Sequence, residues 1–331
     1  MKNIPLRKPV ILLLFTLILS LLCVAGCQKA AKKPPTTPQQ NVPQQNVPLA
    51  PEVTKYSQEP TISLYRSATG NKEQLKLEDY LKGVVAAEIG PNFPLEALKA
   101  QAIAARTMTL ALINYEHGAG KHGTDASDDH TEFQAYNNTK IPDVIAKAVD
   151  ETRGQILTYN GKFVYAEFHS ASPAMTASID EGFPKLKDKA SAYIVPVSTD
   201  GLKNAPEKYR DWTVKVPVST IKNIMGPKAG SLADIKVGQK GPSGRALTVT
   251  AGSASIAGVD LREKVGFDKL FSTYFTSITV EGNNVVFKGK GWGHGCGMEQ
   301  WGAFTMAQEG KMAKEIVEHY YPGTMWTQLY K

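Results

Sequence analysis

A change of hydrophobic period near residue 155 does most to limit what this chain folds into. Upstream, apolar residues recur at helical spacing: Leu77, Tyr80, Leu81, Val84, Val85 and Glu88 fall at i, i+3, i+4, i+7, i+8 and i+11, a single helical face. A second helix is predicted from Leu95 to Glu116, with Pro94 at its first position, and a third over about Val144–Glu151. A strand, Thr61–Arg66, precedes them. Downstream the pattern becomes short β-rich runs separated by Gly and Asn turns: Gln155–Tyr159, Phe163–His169, Ala192–Val197, Trp212–Pro217, Ala246–Ala251, Ser277–Glu281 and Asn284–Lys288. The last two flank Glu281-Gly-Asn-Asn284 and read as a hairpin. Short helices are expected at Val218–Met225, Gly258–Val265, Gln300–Glu309 and Ala313–Tyr320. Helices followed by strands, without regular βαβ alternation, predict an α+β fold: a helical N-terminal part packed on a mostly antiparallel β domain with short helices.

Before residue 61 the chain reads as address and tether. Lys2, Arg7 and Lys8 precede an apolar run from Val10 to Leu22, and Val24-Ala-Gly-Cys27 resembles a bacterial lipobox at which a signal is cleaved and Cys27 acylated. Residues 1–27 are therefore expected to be a lipoprotein signal peptide and 28–60 a disordered Pro/Gln-rich tether, with Gln-Gln-Asn-Val-Pro twice in tandem. Residues 61–331 form the folded domain. This places the protein outside the cytoplasm, held to the membrane by a lipid. Of the three cysteines, Cys23 leaves with the signal and Cys27 is acylated, so Cys296 remains as the lone thiol and a hydrophobic core must supply stability. The formal charge of +7 falls to +4 once the signal is removed, which suits an anionic envelope polymer and is too weak to indicate nucleic acid.

One residue breaks the helical pattern. Glu88 occupies an apolar position in the last turn before Gly90 and Pro91, where burial and the negative end of the helix dipole both raise a carboxylate pKa. A glutamate kept protonated near neutral pH serves as a general acid; the plainer reading is an ion pair with a basic neighbour. Arg106, near the Ala102 and Ala105 face of the second helix, lies in reach of that role and would lower the pKa.

Val84-Val-Ala-Ala-Glu88-Ile with Phe93-Pro-Leu-Glu-Ala-Leu-Lys-Ala-Gln101-Ala-Ile-Ala-Ala-Arg106-Thr resembles the signature of the SpoIID/LytB family. Gly291-Trp-Gly-His294-Gly-Cys-Gly-Met298-Glu-Gln300-Trp301-Gly-Ala, more than 200 residues later, looks like the same family's C-terminal motif. The resemblance implies a peptidoglycan lytic transglycosylase that cuts MurNAc–GlcNAc bonds of peptide-stripped strands, with Glu88 as the catalytic residue. It implies a cell-wall amidase as partner, and its LytB side offers a non-catalytic, glycan-binding amidase enhancer instead. Gln101, Arg106, His169, Ser170, His294, Met298 and Gln300 are carried over as substrate-binding positions. A solitary carboxylate suits lytic cleavage, because the muramic acid C6 hydroxyl replaces the water that ordinary hydrolysis activates with a second carboxylate. Asp79, Glu96, Glu167 and Glu299 are the other carboxylates considered for that second role.

The alternating glycines 291, 293, 295 and 297 leave one backbone face bare, which fits either a sugar lying close or a tightly packed seam; Trp292 and Trp301 offer stacking surfaces. The run lacks the Lys-Ser/Thr ending of a phosphate loop. Phe168-His169-Ser170-Ala-Ser172 resembles a family segment that usually continues with paired glycines, where this chain has Pro173-Ala174. His169 and Ser170, adjacent on a strand, face opposite ways and make no nucleophile–base pair. Some family members bind zinc through Cys and His in the polar loop 117–131. Here Phe133 stands where such a Cys is expected, and the set left would be His122, Asp128 and His130; the expectation is a solvated loop without metal or other cofactor.

Overall fold

A computed structural model describes residues 47–137 and 139–331, so the signal, Cys27 and most of the tether lie outside the described residues. Among the described residues no helix is long and apolar enough to cross a membrane.

The fold is α+β, built from several small sheets that are mostly antiparallel. Thr61–Tyr65 pairs antiparallel with Lys72–Lys76, a strand that its Lys/Glu/Gln composition concealed, and parallel with Ala126–Ser127. The Leu77–Glu88 helix follows directly, and its predicted apolar face is fully buried at Leu77, Tyr80, Leu81, Val84 and Val85. Leu95–Tyr115, capped by Pro94 just outside its first turn, is the central helix. Its alanines at 97, 100, 102, 104, 105 and 111 are all buried, so neighbours approach on every side: the Asp143–Glu151 helix, the Gln155–Tyr159 strand and the two C-terminal helices, Gln300–Gln308 and Ala313–Tyr320.

Gln155–Tyr159 is the middle of a three-stranded sheet between Lys162–Phe163 and Met325–Gln328. The strand expected over Phe163–His169 is two pieces. After Phe163 the chain leaves this sheet, and Phe168–His169 pairs parallel with Met298–Glu299. The Ala192–Val197 strand does not form; Pro196 has no N–H to give a ladder, and only single contacts are made nearby, such as Thr176 N–H to Val197 O at 2.9 Å. The packed body also begins upstream of Thr61. Pro51–Thr54 is helical, Val53 is fully buried, Tyr56 packs on Phe163 and Ala50 N–H donates to Gly161 O at 2.9 Å, so the end of the expected tether is seated on the core.

Residues 212–289 carry a second hydrophobic core of their own, around Ile221, Leu261, Leu270, Val285 and Phe287. Phe275–Glu281, Asn284–Gly289 and Trp212–Pro217 form its antiparallel sheet, with the hairpin register Glu281 to Asn284 as expected. This insert stands between the two motifs in sequence. The Gly291–Gly297 run brings the chain back to the first core.

Candidate functional site

Glu88 is the final residue of its helix and is half-buried as a residue. Ala135 N–H, from the loop that follows the acidic stretch, donates to Oε1 at 3.1 Å. Gln300, the first residue of the Gln300–Gln308 helix, bonds the same carboxyl, and its Nε2 also reaches Gln101 Oε1 at 3.5 Å. The structure thus joins the two motifs at Glu88. Burial raises the Glu88 pKa above the ordinary carboxylate value, while the Ala135 N–H, the Gln300 amide and nearby His130 pull it down. Burial wins. Beside this contact Phe93, Trp301 and Phe304 cluster with ring centroids 4.9 to 5.3 Å apart, Trp301 and Phe304 partly exposed.

Arg106 is not part of this arrangement. It is fully buried and grips Glu78, Nε to Oε1 at 3.0 Å and Nη2 to Oε2 at 2.5 Å. Glu78 also accepts from Gly154 N–H at 3.1 Å and Tyr330 OH at 2.7 Å, and Arg106 Nη1 donates to Gln155 O at 3.1 Å. The expected substrate contact is corrected to a structural one that ties the C-terminus to the first two helices. Met298 is likewise fully buried, its N–H donating to Glu167 O at 3.0 Å, so no substrate contact is open to it. Gln101 is fully buried, and its Nε2 has no partner; it acts on the site through Gln300.

The glycine run resolves as a packed seam. All four glycines have positive φ: Gly291 +79°, Gly293 +106°, Gly295 +91° and Gly297 +67°. A Cβ would lie 2.6 Å from Ala171 O at Gly291 and 2.9 Å from His169 Cβ at Gly293, and would strike the Arg245 guanidinium at Gly295 and Glu167 O at Gly297. The bare face is filled by the protein itself. Trp292 is half-buried: Phe271 stacks on it at 4.7 Å and 7°, with Lys208 5.1 Å from its ring, so it packs the insert against the seam.

His294 is held by backbone at both nitrogens: Cys296 N–H donates to Nδ1 at 3.1 Å, and Nε2–H donates to Phe168 O at 2.8 Å. Burial, then Arg262, push its pKa down to about 3, so the ring is a neutral clasp across the seam. His169 is buried, with Nδ1–H donating to Cys296 O at 3.1 Å and Nε2 accepting from Ser172 OH at 2.5 Å. Ser172 Oγ in turn accepts from Arg245 Nη2 at 2.9 Å, while its N–H donates to buried Glu299 at 2.8 Å. Ser172 is fully buried, which removes it as a nucleophile, and nothing in the sequence marked Arg245 as its partner. Ser170 is partly exposed and its carbonyl accepts Trp301 N–H at 3.2 Å.

In the polar loop His122 stacks on Tyr65 at 3.7 Å and bonds Glu132 at 2.8 Å, whereas Asp128 pairs with Arg66 at 3.3 Å. His130 is exposed. Among the described residues no three His, Cys, Asp or Glu side chains gather closely enough to hold a metal ion, so His122, Asp128 and His130 are not brought together.

An acidic side chain closing one end of a helix is joined to a distant glycine-seam motif in an α+β domain, and the sequence that builds this arrangement is similar to known proteins. The stage II sporulation protein (SpoIID) profile matches residues 65–159, and a domain of unknown function (DUF8618) matches 176–297. Stage II sporulation protein D of Bacillus subtilis is 33% identical over 80% of this chain and 78% of its own length; that of Bacillus amyloliquefaciens is 30% identical over 80% and 77%. An amidase enhancer of Bacillus subtilis is 29% identical over 75% of this chain but only 40% of its own length. The chain belongs to the SpoIID family.

Proposed function

We propose that this protein is an exported lytic transglycosylase of peptidoglycan, anchored by a lipid on Cys27 and acting in sporulation or cell-wall remodelling on strands freed of their peptides. The observation that carries the reading is Glu88: its pKa is raised by burial, the residue is half-buried at a helix end, and its carboxyl is aimed by Ala135 N–H and Gln300. Protonated Glu88 donates to the glycosidic oxygen as the bond from muramic acid C1 breaks. The muramic acid C6 hydroxyl then bonds to C1 and gives its proton to the same carboxylate, which restores Glu88 and leaves a 1,6-anhydro end. This step calls on no second carboxylate and no cofactor. Trp301 and Phe304 offer rings on which a sugar can stack. The relatives' names, sporulation protein and amidase enhancer, support a cell-wall setting and a cell-wall amidase as partner.

The test is direct. Purified full-length chain incubated with peptide-free glycan strands should release fragments ending in 1,6-anhydromuramic acid, read by mass spectrometry, and Glu88→Gln should not. Unchanged product from the variant, or none from the parent, rejects the mechanism. Binding without cleavage by the parent would instead identify a glycan-binding amidase-enhancer module.

A further inference from the structure

A second cavity, of about 610 Å³, opens at the other end of the central helix. Its wall is aromatic. Tyr115, Tyr159 and Tyr193 line it, with Lys162, Lys189 and Asn160 among its polar groups. The local sequence explains the arrangement. Asn160 (φ +49°) and Gly161 (φ +73°) make the tight turn of a hairpin in which Tyr159 and Lys162 are directly opposite. Cross-strand partners project to the same face, so a phenol ring and an ammonium group stand side by side. Tyr193, 5.4 Å from the Tyr159 ring, is fixed behind it by Tyr165 N–H at 3.0 Å.

The two lysines differ. Lys189 already pairs with Glu116 at 2.5 Å. Lys162 is exposed and, among the described residues, has no ion-pair or hydrogen-bond partner; the Asn160 side chain has none either. A ring to stack on, an unused amide and one uncompensated cation in a concave site are complementary to a sugar that carries a carboxylate.

We propose that this cavity is an accessory saccharide site that reads a free sugar carboxylate through Lys162, with Tyr159 beneath the sugar ring. The proposal rests on the glycan reading above and deepens it. Amidated lactyl groups, as in peptide-bearing muramic acid, offer no charge to Lys162; stripped strands do. From Gln101, which shares Gln300 with Glu88, to Tyr115 is about 20 Å along the helix, so a strand gripped here is held away from the bond that Glu88 cuts.

Full-length chain carrying Glu88→Gln, which should not cleave, is titrated by calorimetry with two probes of equal length: peptide-free GlcNAc–MurNAc tetrasaccharide, which carries free lactyl carboxylates, and the N-acetylglucosamine tetramer, which lacks them. Lys162→Ala should weaken the acidic probe about tenfold and leave the other unchanged, and Lys162→Glu should weaken it further. Tyr159→Ala should weaken both. Equal effects of Lys162→Ala on the two probes, or none on the acidic one, overturn the carboxylate site while leaving cleavage at Glu88 intact. Absence of anhydro products from the parent chain, or their undiminished release by Glu88→Gln, would overturn the lytic reading without bearing on Lys162. Lys162 is a surface side chain beside a two-residue turn, and circular dichroism of the variants should match the parent.

Discussion

Glu88 and His294 come from the two motifs that mark this chain, yet their titratable atoms live in opposite surroundings. The carboxyl of Glu88 accepts two bonds from a half-buried residue at a helix end and is pushed toward the neutral form by burial. The imidazole of His294 has both nitrogens committed to backbone groups and is held neutral near pH 3 and above. The difference teaches that a dense motif is not the same thing as a reactive one. The glycine-rich run shapes the site by closing its own seam, and Gln300, just after it, bonds the acid.

Two substitutions should separate the regions most sharply. Glu88→Gln is expected to lower anhydro-end formation by roughly 10²- to 10⁴-fold, the usual worth of a positioned acid, with an unchanged urea midpoint. Gly297→Ala is expected to do the reverse in kind: its Cβ would strike the Glu167 carbonyl at a positive φ, and stability should fall by more than about 4 kcal/mol in urea unfolding. A stable, inactive Gly297→Ala protein would break the comparison, because the seam would then be a substrate surface.

Arg106→Met tests a third position by the same logic. Removing one partner of a buried pair strands the Glu78 charge, so about 3 to 5 kcal/mol should be lost. Activity per folded molecule should hold. A variant with full stability and a raised KM would restore Arg106 to the substrate.

The seam also carries a pH signature. Glu167 is buried against it, the neutral His294 ring lying 3.9 Å away, and burial raises its pKa to about 8. Between its unfolded value and about 8 the folded state keeps a proton that the unfolded state has lost. Stability must therefore fall as pH rises through that window, by at most about 1.4 kcal/mol per pH unit from this group. Glu299, raised by burial to about 7, adds a similar slope at the lower end. Glu167→Gln should flatten the decline between pH 5 and 8 in urea titrations, and an unaltered slope would mean that Glu167 is paired in solution.

Much of this was legible in the sequence, for identifiable reasons. Helical phase placed Glu88 on the buried face and at the helix end, because a stripe sustained over twelve residues admits one solution. Residue types gave the hairpin at Glu281 to Asn284 and all four C-terminal helices. Long-range partners were not legible. The same phase that put Arg106 near Glu88 fits Glu78 equally well, and only packing against Gly154 and Tyr330 decides between them. Ala135 acts through its N–H, which no side chain announces, and Arg245 reaches Ser172 from the insert, across two cores. Alternating glycines are equally compatible with an open face and a filled one until the neighbouring backbone is known.

The smallest expected effect falls at Ala174, where the resemblance led to doubt about the loop after Ser172. Ala174 sits at φ +59°, in the left-handed region, with Met175 N–H closing on Pro173 O at 2.7 Å and Thr199 N–H on Ala174 O at 3.0 Å. The backbone therefore adopts the conformation that paired glycines would favour, without them. A non-glycine residue there costs roughly 1 to 2 kcal/mol, whereas the extra freedom of glycine in the unfolded chain costs about 0.4 to 1. The relief exceeds the entropy, so Ala174→Gly should stabilise the fold by about 0.5 to 1 kcal/mol, seen as a raised thermal midpoint, and leave anhydro-product formation unchanged because Ala174 touches the site only through the seam. A lowered midpoint would mean that the turn is not strained, and that this chain has rebuilt the loop around proline instead of tolerating a misfit alanine.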